Sequence, residues 1–226
     1  MRLIDDMQAE HVLIGHVLGS LRTYVHARAT LASDSESTAA PIADAEAFGR
    51  FFHLYAGAYH HAREEDVLFA ALVREAGLPR ERGPLFAIEK QHHAMATTLD
   101  RLLTLLGGSL SDTADRAQAQ SLAIAYSHAL WRHIDAENSV LFPESVERLL
   151  RVGVTELPGR STTPEEDHAR REGEALVQRY VPFDDPSAGR GEGCPSCPSF
   201  GVDCDGVERE WWSDSEWDEL DDRVGH

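Results

Sequence analysis

Residues 60–69, "HHAREEDVLF", and residues 133–142, "HIDAENSVLF", are two copies of one pattern set 73 residues apart. His60 matches His133, Glu64 matches Glu137, and Val67, Leu68 and Phe69 match Val140, Leu141 and Phe142. Ala56 and Ala129 extend the match upstream. Residues four apart on a helix differ by about 40° in direction, so each His and the Glu that follows it reach one point. The neighbouring pair in the first copy, His61 and Glu65, corresponds to Ile134 and Asn138 and is not repeated. The pair expected to face inward on the first copy is therefore His60 with Glu64.

Two further helical segments share a different pattern. Ile4, Met7, His11, Ile14, Leu18, Leu21 and Val25 alternate steps of three and four, as do Leu85, Ile88, His92, Met95, Leu99, Leu102 and Leu106. This is the spacing of a buried helix seam, and each seam carries one His at the same place. His92 lies on its seam, and His93 is turned about 100° away. Breaks at residues 33–41, 77–84 and 107–112 leave four long helical segments, near 3–31, 42–76, 84–106 and 112–151. A further helix follows a loop, with Thr163 as its N-cap and Pro164 in its first turn. The expected fold is all-α. It is an up-down four-helix bundle over residues 1–152, followed by a C-terminal extension over 153–226 that holds the added helix and an irregular tail rich in Cys, Trp and acid.

Closing such a bundle brings four imidazoles and two carboxylates into one core. Unpaired buried carboxylates cost several kcal/mol each, so the cluster needs compensating positive charge. Two cations bridged by Glu64 and Glu137 would supply it. Six protein ligands on two metals leave coordination positions open, which suits iron and small exogenous ligands better than closed, structural zinc.

The order of these residues, with "EEDVLF" and "ENSVLFP" following the two carboxylates, resembles the hemerythrin-like, or HHE cation-binding, domain over about residues 3–151. The resemblance implies a non-haem di-iron centre, two iron ions joined by an oxo or hydroxo bridge. Its ligands would be His11, His60, Glu64, His92, His133 and Glu137. Oxygen-carrying hemerythrins have a fifth His four residues before the one matched by His92, where this chain has Ile88. The ferritin-like pattern, Glu-x-x-His on two helices and a lone Glu on the others, is not present. Glu65 is a reserve ligand, and His61 is a reserve ligand or lies behind the ligands. His53 and Tyr126 occupy matching positions two turns before His60 and His133. They are expected on the ligand face, bonding to ligands or lining a gas channel.

Two classes of function follow. One is binding or sensing of dioxygen, nitric oxide or peroxide. The other is a di-iron oxidoreductase that removes peroxide or nitric oxide, or a protein that handles iron. A net charge of −18 argues against nucleic acid or an anionic membrane as partner. No apolar run approaches the ~20 residues of a membrane span. The first residues lack a basic stretch followed by an apolar one, so no secretory signal is expected, and a reducing cytoplasm is the default location.

The three Cys all lie in the tail. Cys194 and Cys197 have the spacing of a metal knuckle or a redox dithiol, with Cys204 beyond; a zinc site there would take His168 or His226 as fourth ligand. Trp211, Trp212 and Trp217 stand among nine acidic residues between Asp205 and Asp222. That mixture suggests Trp side chains docked on the bundle, on a protein partner or on a second copy, with the carboxylates in water.

Overall fold

The computed structural model describes residues 1–31 and 42–184. Cys194, Cys197, Cys204 and the three tail Trp lie outside the described residues. Among those described the chain is all-α, with no strand. Helix α1 is Arg2–Leu31. Helix α2 runs over residues 42–76, α3 is Gly83–Leu106, α4 runs over residues 113–151, and α5 is Pro164–Arg179. No helix among the described residues is long and apolar enough to cross a membrane.

Local signals set several of the ends. Gly77 closes α2 with φ 68°, a left-handed conformation open to glycine at no steric cost. Asp112 caps α4 by accepting from the Ala114 backbone N–H at 2.9 Å. At α5 the Thr163 hydroxyl accepts from Glu166 N–H at 3.2 Å, and the Glu166 carboxylate accepts from Thr163 N–H at 2.8 Å. This is a capping box, and it satisfies two of the helix's orphan donors.

All fourteen positions of the two seams are buried, His11 and His92 included. Helix α1 packs on α4 and α5, α3 packs on α4, and α2 packs on α3, α5 and the end of α4. The buried Arg28 donates to Leu106 O at 3.3 Å and Gly108 O at 2.6 Å, tying α1 to the negative end of α3. Helix α5 joins the same core through Ala169, Leu176 and Tyr180. Its Gly173 sits so close to Phe51 that a Cβ would lie 2.3 Å from the ring.

The core is divided. One apolar cluster holds Ile14, Leu18, Leu21, Met95, Leu99 and Leu102 with their neighbours. The other holds Ile4, Met7, Leu68, Leu85, Ile88 and Phe142 with theirs. On both seams the His lies between the two. Each fully buried Leu or Phe contributes about 1.5–3 kcal/mol, and this apolar packing above and below positions the polar layer.

Candidate metal centre

The two helices that carry His-x-x-x-Glu are not plain α-helices. Helix α2 has π-helical turns at Phe51–His61 and Glu64–Phe69, and α4 has one at Glu137–Leu141. A π-turn bonds i to i+5, so each turn takes more residues than the about 3.6 of an α-helix. In α2 the widened turns bring both His60 and His61 to the polar layer.

The layer is built from four inward imidazoles and two carboxylates. His11 and His60 approach Nε2 to Nε2 at 2.9 Å, and His92 and His133 at 3.0 Å. Each of these rings is held from behind at Nδ1. His11 Nδ1 donates to Asn138 Oδ1 at 2.9 Å, and His60 Nδ1 to Glu10 at 2.8 Å. His92 Nδ1 donates to Glu65 at 2.6 Å, and His133 Nδ1 to Gln91 Oε1 at 2.9 Å. An oxygen acceptor at Nδ1 puts the proton there and leaves the Nε2 lone pair of the neutral ring facing the centre.

Glu64 and Glu137 have no exposed surface, and none of their four oxygens has a hydrogen-bond partner. The closest imidazole nitrogen, His133 Nε2, is 3.1 Å from Glu137, and His60 Nε2 is 3.2 Å from Glu64. Four lone pairs and two bare carboxylates converging in a dry core would repel one another. The electrostatics record this. Burial pushes His60 down, yet Glu64 and Glu10 outweigh it and hold the ring up at about 10. Burial also lowers His92, but Glu65 and the two central carboxylates raise it on balance. Burial would raise Glu137, and His133 and His11 instead keep it well below the usual carboxylate range. Without a cation, protons must carry the compensating charge. A metal ion would replace them, and the donor set fits one.

Two groups of ligand atoms gather tightly enough to hold a metal: His11, His60, Glu64 and Glu137 form one, and His61, Glu64, His92 and His133 the other. A family model described as Hemerythrin HHE cation binding domain matches residues 2–145. The chain belongs to this family. No curated protein and no solved structure matches it individually.

In this hemerythrin-family chain the six residues anticipated as ligands all reach the polar layer. His61 joins them. Its ring stacks on His92 at 3.9 Å between centroids, and burial, then His92, His60 and His133, keep it well below its usual pKa, hence neutral. Glu65 stands behind His92 as its Nδ1 acceptor. His53 is not on the ligand face: it is exposed and lies 3.2 Å from Asp100. The widened turns of Phe51–His61 break the two-turn spacing that would align it with His60. Tyr126, seven residues before His133 on regular α-helix, is buried. It packs edge-on against Phe52 at 5.4 Å in the apolar cluster, away from the ligands.

The Nδ1 acceptors Glu10, Gln91 and Asn138 were not anticipated from the sequence. Their signal is in the repeats: each seam His is preceded by Glu or Gln, and each inward Glu is followed by Glu or Asn. Arg63, itself buried, pairs with Glu10 and donates to Tyr59 O at 3.2 Å, holding the acceptor behind His60 in place.

Proposed function

We propose that this chain is a non-haem di-iron protein, built as an up-down four-helix bundle, that binds or senses a small oxidant such as dioxygen, nitric oxide or peroxide. His11 and His60 would hold one iron, and His61, His92 and His133 the other, with Glu64 and Glu137 serving both. The observation that carries the reading is the set of four buried carboxylate oxygens without hydrogen bonds, faced by imidazoles whose outer nitrogens are all engaged. When iron is bound, open coordination positions and a change of oxidation state supply the chemistry that takes up small oxidants. The protein's own part is geometric and electrostatic. The Nδ1 acceptors fix the rings, the apolar clusters on either side exclude water, and the dry surroundings strengthen each charge-charge contact.

The test is the metal content and visible spectrum of the full chain purified from iron-replete cells. About two iron per chain and a coloured, bridged ferric pair are expected. Colourless protein that holds only zinc overturns the reading.

A further inference from the structure

Between α1 and α4 lies a cleft of about 610 Å³. Its floor includes His11 and Asn138, the pair joined through His11 Nδ1, and its walls include Val12, Gly15, Trp131 and Asp135. Phe183 and Asp184 form its rim. The rim is clamped to α1: Ser20 donates to Tyr180 O at 2.7 Å, Thr23 to Val181 O at 2.7 Å, and Phe183 N–H to Gly19 O at 3.1 Å. Two other clefts, of about 510 and 350 Å³, touch none of the candidate ligands.

Gly15 and Gly19 stand one turn apart in the middle of α1, where glycine costs about 1 kcal/mol relative to alanine. Gly19 has a packing reason, because a Cβ there would lie 2.6 Å from Phe183 O. Gly15 has none: its Cβ would meet nothing within 4 Å. A helical side chain covers the turn N-terminal to its own Cα, so a side chain at 15 would lie over His11 and Val12. The absence of a side chain at 15 therefore leaves the cleft open down to His11.

We propose that this cleft is the route by which small uncharged ligands reach the metal position held by His11 and His60, and that Gly15 keeps it open. The inference rests on the reading of the metal centre given above. The chain's net charge of −18 opposes the approach of anions, so neutral molecules are favoured. The His11–Asn138 pair is the last barrier before the ligand atoms.

The test uses the full-length, iron-loaded protein in stopped flow, with nitric oxide on the reduced centre as the neutral probe and azide on the oxidised centre as the anionic one. Gly15→Phe is expected to keep its iron and slow nitric oxide binding about tenfold or more, while Gly15→Ala stays within about twofold of wild type. Ile124→Trp, in the cleft beyond Phe183, leaves the rate unchanged. Azide binding speeds up with ionic strength, and nitric oxide binding does not. A metal-independent readout is acrylamide quenching of Trp131 in a chain with Trp211, Trp212 and Trp217 changed to Phe; Gly15→Phe should reduce it, with Val12→Phe as a second filler. A filler that shields Trp131 and retains iron, yet binds nitric oxide at the wild-type rate, overturns the route alone. A wild-type chain that takes up no iron removes the metal reading and the route with it.

Discussion

Helices α1 and α2 place carboxylates behind two of the inward imidazoles, Glu10 behind His60 and Glu65 behind His92. Helices α3 and α4 place amides in the corresponding positions, Gln91 behind His133 and Asn138 behind His11. A carboxylate acceptor makes an imidazole a stronger electron donor, whereas an amide orients it without adding charge. Each of the two ligand groups contains one ring of each kind, so this difference between the halves cancels at the centre. What does not cancel is His61, which has Ile134 as its counterpart. Nor does α5, which packs on α1 and α2. The halves share a ligand plan and differ in what surrounds it.

The largest effects should come from breaking the shared plan. His60→Ala removes a ring that stands against Glu64 and leaves buried charge uncompensated. Iron should fall from about two to about one per chain or fewer, with a loss of about 3–5 kcal/mol. For a domain this size that is about 10 °C in Tm. His61→Ala should spare the His11 group and weaken only the other, so that one iron resists a chelator as in wild type and one leaves more readily. Metal analysis after graded chelation separates the two; a His61→Ala chain that retains both irons as tightly as wild type would place His61 outside the coordination and restore the symmetry of the halves.

An intermediate effect is expected from exchanging the acceptors. Glu65→Gln should lower iron affinity about tenfold, and Asn138→Asp should raise it, since such outer partners tune affinity by about 10–100-fold. Chelator competition on both variants checks this, and a shift in the same direction for both would mean that the acceptors only orient the rings.

The smallest effect concerns α5. Arg160, donating to Glu166 at 2.6 and 2.7 Å, holds that carboxyl below its ordinary value of 4.5 despite partial burial. A carboxyl depressed by folding contributes stability fully above its unfolded pKa and loses it as pH falls through the folded one. Glu166→Gln should thus cost about 1 kcal/mol near neutral pH, and the difference from wild type should vanish in acid. Hydrogen exchange of α5 amides across that pH range measures it, and iron content should not move. A cost that persists below the folded pKa would assign the effect to packing.

The helix limits and both buried seams were legible because a period between three and four leaves few alternatives once His11 and His92 interrupt otherwise apolar runs. The His-x-x-x-Glu copies were legible because they repeat in register. His53 was misplaced because position matching assumes an unbroken α-helix, and the π-turns of α2 rotate everything upstream of His60 relative to everything after it. The same turns bring in His61, which has no partner in the second copy to betray it. The Nδ1 acceptors were readable in principle, but Glu and Gln beside a seam His look like ordinary solvent-facing residues until the facing helix is placed. The cleft depends on Gly15, and an isolated glycine in a helical run identifies no neighbour.

The Nδ1 bonds follow two routes. His60 to Glu10 and His133 to Gln91 stay within a half, while His11 to Asn138 and His92 to Glu65 cross between halves. Each half thus gives the other the acceptor that its own lone His lacks, which is the reciprocity of an isologous contact, residue i on j and j on i. A chain made of one such half would carry both parts of the exchange and satisfy neither alone. It would have to pair with a second copy about a two-fold axis. Fusion of two copies into one polypeptide frees the pairs to diverge, and the carboxylate-to-amide difference and the unmatched His61 are changes that an exact dimer could not hold on one side only.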